Sequence, residues 1–436
     1  MRDDFLDNKE KALKEHIRHN GKIETVSKVR IDCAEDLSVY YTPGVAYVSE
    51  AIKKDINTAY DYTSKSNTIA IVTDGTRILG LGDIGPEAGL PVMEGKSLLF
   101  KRFGGVDAVP ICLSTKDENE IINIVKAIAP TFGGINIEDI KSPKSIRIAN
   151  KLSTEIDIPV LHDDRQGTAV AALAALINAL KVVSKGRGAK VVINGAGAAG
   201  IGIAELMHHY GMHNIVVLDT EGAIYKGRKE NMNEFKEHLA DITNKKLEKG
   251  TLIDIANGAD VLIGVSERGA FTTDMIKSMN QKAIVFSLAN PFPEIEYEDA
   301  KMAGAAVVAT GSSEWPNQVN NVIAFPGIMR GMLDARIKRI NNDMLVGAAL
   351  SIAKNTGKIT TEHILPSISD KGFETRIAPS VAGKVAEAAS RTGEARIMIT
   401  EQQAKKRAKE LILRYKKVER AATKYPYPES TAPLTT

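Results

Sequence analysis

The sequence predicts an α/β fold of two domains, and three observations carry that reading. Short apolar runs alternate with amphipathic segments over the first ~165 residues, as strands alternate with helices in an α/β domain. A second series of apolar runs, each ending in glycine or a polar turn, begins near residue 188 and has the look of buried parallel strands. The first run of that series leads into G-x-G-x-x-G and then a helix, the opening of a Rossmann-like domain. The bounds are read as 1–164 for an N-terminal α/β domain and 165–436 for a Rossmann-like domain with C-terminal helices. The 436 residues, 43% hydrophobic and 25% charged, can bury two sizeable cores, which excludes a disordered chain or a small disulfide scaffold.

The elements follow in order. Residues 4–20 are spaced as a helix, with Phe5, Leu6, Ala12, Leu13 and Ile17 on one side. Thr42-Pro43-Gly44 breaks the chain, and VAYVSEAIKKD restarts it as a helix with proline near its entry. TIAIVTDG is a strand ending in a turn. The glycine-dense GLGDIGPEAGLPVMEGKS is expected to open a helix at KSLLFKRFGGV. AVPICLST and GGINIEDI read as strands flanking the helix ENEIINIVKAIAPTF. PVLHDDRQGTAVAALAALINALKVV is a strand, an acidic turn and a helix apolar almost all round, hence buried between domains. In the second block KVVIN, NIVVLD, ADVLIGVS, AIVFSLANP and AAVVATG are strands. The tail PYPESTAPLTT reads as irregular.

The net charge of +3 names no acidic partner. Residues 401–424 hold nine Lys or Arg against three Glu, leaving −3 for the remainder. Acids interrupt this stretch, and Leu411, Ile412 and Tyr415 form a short apolar side. It therefore reads as a solvated helix, with no nucleic-acid or membrane partner. Cys33 and Cys112 make no metal or disulfide pattern and fit a reducing, cytoplasmic setting. The charged N-terminus does not read as a signal peptide, and no apolar run reaches membrane-spanning length.

Gly195, Gly197 and Gly200 form the glycine motif, with Ala196, Ala198 and Ala199 between them. Gly195 permits the turn, Gly197 lets backbone approach a pyrophosphate, and Gly200 lets helix and strand pack. Asp219, at the end of the next strand, lies near the ~20-residue spacing expected of an acid that holds an adenosine ribose. A carboxylate there repels a 2′-phosphate, which leans toward NAD over NADP. Lys226, Arg228 and Lys229 lie further on as bases that could reverse it. The histidines His208, His209 and His213 read as structural.

Two acid pairs end predicted strands: Glu138-Asp139 and Asp163-Asp164. Four acids together repel, and an all-oxygen set suits Mg²⁺ or Mn²⁺. His162 reads as a packing or hydrogen-bonding residue rather than a ligand.

These residues lie in segments that resemble the malic enzymes, in the short bacterial and archaeal form: YYTPGVA, TDGTRILGLGDIGPEAGLPVMEGKSLLFKRFGGVDAVPICL, FGGINIEDI, VLHDDRQGTAVAALAALINALK, INGAGAAGIGIAELM, LDTEGAIYKGR, FSLANP and NQVNNVIAFPGI. The resemblance implies oxidative decarboxylation of L-malate to pyruvate and CO₂ with NAD or NADP and Mg²⁺ or Mn²⁺, in at least a homodimer. It places metal ligands on Glu138, Asp139 and Asp164, a tyrosine on Tyr41 after Tyr40, a lysine on Lys96, and an acid coupled to that lysine on Asp163. Arg77 corresponds to an arginine that binds a malate carboxylate, and Asn290, Asn320 and Asn321 to substrate or cofactor carboxamides. On this reading Lys96 takes the C2 hydroxyl proton, its pKa depressed by burial beside a dication, and Tyr41 protonates C3. The chain departs from the short form at HDDRQGT, where HDDQHGT is usual, at Arg77, where a small residue is usual, and at Asp83, where Asn is usual. A malolactic-type enzyme that retains its cofactor, and a non-catalytic NAD-binding sensor, are the competing readings.

Overall fold

The computed structural model describes residues 2–422 and 424; the PYPESTAPLTT tail lies outside the described residues. Two parallel sheets organise them. The first has the order β2-β1-β3-β4, with β1 Thr68–Thr73, β2 Asp107–Cys112, β3 Gly134–Ile137 and β4 Val160–His162. The second runs β10-β9-β8-β5-β6-β7. Its strands are β5 Val191–Asn194, β6 Ile215–Asp219, β7 Gly222–Ala223, β8 Val261–Gly264, β9 Ile284–Ser287 and β10 Val307–Thr310. Only β7 is antiparallel, a short return beside β6. β5 pairs with both β6 and β8, so the chain reverses its direction of winding there, and the glycine motif follows β5 at that switch. The central strands β1, β3, β5, β8 and β9 are Ile/Val-rich and buried on both faces, as a doubly covered parallel sheet requires.

The helix Asp163–Val182 leaves β4 and runs between the two sheets. From Ala169 to Leu180 its residues are all buried, in the same core that takes in strands from both sheets. Alanine and glycine make this possible. A Cβ on Gly202 would stand 2.4 Å from the Arg165 carbonyl, so the helix Ala198–His209 approaches the bridging helix at backbone distance. The Arg165 side chain turns toward the same interface, donating to Glu205 Oε2 (Nη2, 2.5 Å) and to Asn150. That is the part played by the arginine of HDDRQGT: it ties helices together and does not join the acids beside it.

One element differs from expectation. The helix carrying Lys96 starts at Pro86, ten residues earlier than the glycine-dense stretch suggests, and runs to Gly104. Pro86 occupies the first turn, where its missing N–H costs nothing, and Lys96 sits in mid-helix facing the core rather than at an opening.

After β10 the chain returns to the first lobe. Helix Phe325–Asp334 packs on Pro86–Gly104 and Phe373–Arg391, and the basic helix Glu401–Ala422 packs on both of the latter. Ala404, Ala408 and Ile412 form its buried side. Several of its charges are paired within the chain: Lys416 with Glu374, and Arg407 Nε with Asp334 Oδ1 at 2.9 Å. Among the described residues no helix is long and apolar enough to cross a membrane.

Arg330 is the largest fully buried side chain. It donates to Asp334 Oδ1 at 2.8 Å and to the Asn67 carboxamide oxygen. Removing one partner of a buried pair strands the other charge. Asp334→Ala is expected to lower unfolding free energy by about 3 kcal/mol or more. Arg330→Met together with Asp334→Leu should recover most of it, as read from denaturant unfolding. Equal losses in the single and double variants would count against charge pairing along this helix as what keeps Arg330 and Asp334 buried together.

Candidate active site

The first sheet delivers its acids at strand ends. β3 ends at Ile137, so Glu138 and Asp139 emerge at its carboxyl end, and Asp139 turns the chain with φ +53°. β4 ends at His162, and Asp163 and Asp164 open the bridging helix. Carboxylate oxygens of Glu138, Asp139 and Asp164 lie within 4.8 Å of one another. The Asp139 N–H donates to Asp164 Oδ2 at 2.9 Å, which locks the two turns together.

Lys96 reaches this group from its helix. It is 8% exposed and donates to Glu138 Oε1 at 2.9 Å and to Asp163 Oδ2, while its ammonium lies 4.0 Å from the centre of the Phe325 ring. Asp163 Oδ2 also accepts from Asn321 Nδ2 at 2.6 Å, and Glu138 Oε2 from Asn136 Nδ2 at 2.7 Å. Gly167 is required here, since a Cβ would fall 1.8 Å from Asp163 Oδ1. That oxygen is buried and has no hydrogen-bond partner among the described residues.

One lysine cannot neutralise four carboxylates. Burial, and then Asp164 and Glu138, push Asp139 up to about 9. Burial and then Glu138 push Asp164 up to about 7. Asp163 rises to about 6, burial outweighing its contact with Lys96. Burial alone would lower Lys96, but Asp163 and Glu138 outweigh it and raise its pKa. Without a cation on the acids, the neighbours of Lys96 hold it protonated. His162 is buried and pushed down to about 3, by burial and then by Arg165, so it is neutral; neither ring nitrogen has a hydrogen-bond partner.

The turn carrying Arg77 is fixed beneath. Buried Asp74 accepts from Thr76 N–H at 3.0 Å and pairs with Lys144 at 2.5 Å, and the Arg77 N–H donates to the Asp139 carbonyl at 3.0 Å. The Arg77 side chain is exposed at the edge of the acids. Asp83, the other departure in this segment, pairs with Lys116 at 2.8 Å on the surface.

In the second lobe Gly195 takes φ +119°, with the Val265 carbonyl 2.6 Å from where a Cβ would be. A Cβ on Gly200 would meet the Gly195 carbonyl at 1.8 Å. Nothing lies within 4 Å of one on Gly197, which caps the helix Ala198–His209. The three glycines thus divide into turn, open approach and close packing. The helix N-terminus and the open face beside Gly197, with Ala196, Ala198 and Ala199 around it, fit a pyrophosphate. Asp219 is held by two cations. Arg228 Nη1 donates to Oδ1 at 2.9 Å, Arg228 Nη2 donates to Oδ2, and Lys236 Nζ donates to Oδ2 at 2.7 Å. Burial would raise Asp219, but these bonds outweigh it and hold it below the usual carboxylate range. Of the bases noted in sequence only Arg228 arrives. Lys226 pairs with Asp241 instead, and Lys236 was not foreseen.

The remaining carboxamides separate. Asn321 joins the Lys96–Asp163 group. Asn320 does not: its Oδ1 accepts from Val322 N–H at 2.9 Å and caps the turn Asn321–Ile323. Asn290 follows β9, its amide 3.2 Å from the Cβ position of Gly311, while Pro291 meets Gly80 across the lobes. Tyr41 is the chief residue that the fold does not gather. It ends the helix Ala34–Tyr40, is 65% exposed, and lies on an arm whose helices Ala34–Tyr40 and Gly44–Lys54 bury no residue.

Sequence reasoning passed over Asn136, Phe325 and Lys236. Asn136 had a signal, as a lone polar residue within the buried run GINI. Phe325 had a weaker one, in IAFPGI directly after the asparagine motif. Lys236 had none, because it reaches Asp219 across a turn and a helix start.

Comparison with known proteins agrees with this geometry. Residues 20–153 match the family described as malic enzyme, N-terminal domain, and residues 165–390 match malic enzyme, NAD binding domain. The chain is 50% identical over 408 residues to a bifunctional malic/malolactic enzyme of Bacillus subtilis, covering 93% of this chain and 98% of that protein. It is 50% identical to an NAD-dependent malic enzyme of Geobacillus stearothermophilus over 86% of this chain and 78% of the other. The crystal structure of malic enzyme from Pyrococcus horikoshii superposes with a TM-score of 0.91 at 44% identity, over 95% of this chain and 98% of that one. Sequence, fold and the disposition of acids, lysine and glycine motif converge: the chain belongs to the malic enzyme family.

Proposed function

We propose that this chain oxidises L-malate and decarboxylates the product to pyruvate and CO₂, reducing NAD or NADP, with its domains dividing at 164/165. The observation that carries the reading is Lys96 buried between Glu138 and Asp163, beside a trio of acids that lacks compensating charge. The trio Glu138, Asp139 and Asp164 would hold Mg²⁺ or Mn²⁺, since its donors are all carboxylate oxygens, and burial together with the neighbouring acids raises Asp139 and Asp164, a penalty that a dication would offset. When bound, the dication supplies Lewis acidity to the substrate oxygens and the dinucleotide accepts the hydride.

The chain's own groups do the rest. With a dication held by the trio, the anions that keep Lys96 charged would be offset; Lys96 would then pass its proton to Asp163 and take one from the C2 hydroxyl. Asp163, hydrogen-bonded to both Lys96 and Asn321, orients that amine and relays the proton. Arg77 and the amide of Asn290 grip the substrate carboxylates, Arg77 suiting a bidentate contact. Asn321 orients Asp163, and Asn320 holds the turn that presents it. Tyr41 is the acid that protonates C3 once CO₂ has left. Asp219 faces the adenosine ribose, which favours NAD. Arg228 and Lys236 neutralise it and moderate the repulsion of a 2′-phosphate, so the preference for NAD is one of degree.

A homodimer completes the site in this reading. Leu37, Val39, Tyr40, Val45 and Tyr47 are exposed on the same arm as Tyr41, an apolar surface that a second copy of the chain would cover. The covering copy seats the arm, and with it the phenol. The release of lactate in place of pyruvate is a second reading, supported by the name of the Bacillus subtilis relative.

The decisive assay follows reduced nucleotide, CO₂ and lactate from malate, with NAD or NADP, with and without Mn²⁺. Reduced nucleotide and CO₂ in equal amounts are expected with metal only. Lys96→Ala should lower malate turnover by about 10³-fold or more, with partial rescue by added amine; wild-type-like turnover would remove Lys96 from the chemistry.

The raised acids set a pH dependence. Asp163, Asp164 and Asp139 hold their protons more tightly folded (about 6, about 7 and about 9) than unfolded (~4). Each contributes stability that is present below its unfolded value and lost as pH rises through its folded one. The metal-free chain should therefore lose stability from these groups as pH rises from about 4 to about 9. Mn²⁺ should restore it, more strongly at pH 8 than at pH 6, because binding displaces protons. A Mn²⁺-induced shift in melting temperature that is the same at both pH values would count against the trio as the metal site.

Removing residues 1–55 tests the assembly. The shortened chain should sediment as a monomer and lose malate turnover while still binding NAD. Tyr41→Phe in the full chain should stay dimeric and lose turnover by about 10²-fold or more. A dimer that survives the deletion would move the interface elsewhere.

A further inference from the structure

Glu294 stands outside every role assigned above. It is fully buried on the segment after β9, and four neutral donors hold its carboxylate. Oε1 accepts from the Ser266 N–H at 2.8 Å and the Ser266 hydroxyl at 3.3 Å. Oε2 accepts from the Ala289 N–H at 3.0 Å and the Ser287 hydroxyl at 3.2 Å. The two oxygens thus serve different loops, one the turn after β8 and the other the turn after β9. The link continues: Ser266 Oγ accepts from Asn194 Nδ2 at 2.8 Å, and Asn194 is the last residue of β5, just before the glycine motif.

One side chain therefore ties the carboxyl ends of three adjacent parallel strands, β5, β8 and β9. The sequence makes room for it. A Cβ on Gly264, the last residue of β8, would lie 2.3 Å from Glu294 Cδ, so only glycine admits the carboxylate beneath the strand end. Val265 sits in the same wedge, its carbonyl against Gly195 and its N–H donated to the Asn194 carbonyl at 3.0 Å. Burying a carboxylate is costly, and an apolar side chain would fill the space with less desolvation. What only an acceptor pair can do is terminate two backbone N–H groups on neighbouring loops at once.

Ligands of an open parallel sheet rest against these strand ends, beside the reversal of strand order. The β5 turn carries Gly195, and the β9 turn carries Asn290 directly after Ala289. We propose that Glu294 is a positioning residue for the nicotinamide half of the dinucleotide: its two oxygens hold the turns after β8 and β9 in register with the glycine motif and so aim the Asn290 amide, which serves the nicotinamide carboxamide as well as the substrate beside it. This rests on the dinucleotide reading of the second lobe. It assigns the adenosine half to Asp219 and the glycine motif, and the nicotinamide half to the loops Glu294 sets.

Glu294→Gln isolates the effect. The amide keeps the size of the side chain but replaces one acceptor by a donor. Serine hydroxyls can rotate to meet it; a backbone N–H cannot, so one turn loses its anchor whichever way the amide faces. Binding of NAD and of ADP-ribose, which lacks the nicotinamide, is measured by calorimetry on the full chain, with Mn²⁺ binding in parallel. The proposal expects NAD affinity to fall about tenfold, ADP-ribose affinity to stay within about twofold, and Mn²⁺ affinity to hold. Equal weakening of NAD and ADP-ribose would overturn it, since that marks a general loss of the domain, as would unchanged NAD binding. Should Glu294→Gln fail to fold, Ser287→Ala removes one donor to Oε2, together with the Ser287 Oγ contacts to the Ile295 backbone, and leaves Oε1 untouched. It should weaken NAD about two- to threefold and leave ADP-ribose unchanged, and the same two outcomes would overturn the proposal. A wild-type chain that binds neither ligand would fell the dinucleotide reading and this proposal with it.

Discussion

Four carboxylates held around a single buried ammonium are the constraint on which the first lobe is built. Asp163 and Glu138 share Lys96, while Asp139 and Asp164 are left to repel one another across a backbone hydrogen bond. In water such a group would scatter. Here the strand ends of β3 and β4 and the start of the bridging helix fix its members before any charge is balanced. The arrangement costs stability, since burial and mutual repulsion both act against charge on Asp139 and Asp164.

The bridging helix Asp163–Val182 explains how two separate sheets act as one molecule. Its first turn carries two of the four acids, and its apolar length forms the seam between the lobes. Close approach along that seam depends on residues without bulk, Gly167 against Asp163 and Gly202 against Arg165. The acid site and the glycine motif are thereby joined through packed backbone rather than through a flexible linker. The second lobe uses a different device at its strand ends. There Glu294 is buried among dipoles and the half-buried Asp219 is held by two cations, and each fixes a loop.

Much of the fold was legible because it is written locally. Apolar runs such as AIVF and VVIN can only be buried strands, and the alternation of runs and helices leaves few topologies. Adjacent acids at strand ends and the three glycines could be picked out for the same reason, since each depends on its immediate neighbours. The start of the Lys96 helix was misplaced because glycine density resembles a loop, whereas Pro86 and the burial of Gly89 and Met93 make it a packed helix. The roles of Asn320 and Asn321 could not be separated in sequence. One caps a turn and the other meets an acid 158 residues away, and nothing in Asn-Asn says which.

By itself, then, the sequence determined the two α/β lobes, the glycine turn and the candidate acids, all features of short range. Tertiary structure alone decided the pairing of Lys96 with Glu138 and Asp163, the pairing of Asp219 with Arg228 and Lys236, the task of Glu294 and the exposed station of Tyr41. The physical reason is the same in each case. Charge and hydrogen-bond balance are sums over neighbours in space, and those neighbours come from strands and helices that the linear order keeps far apart.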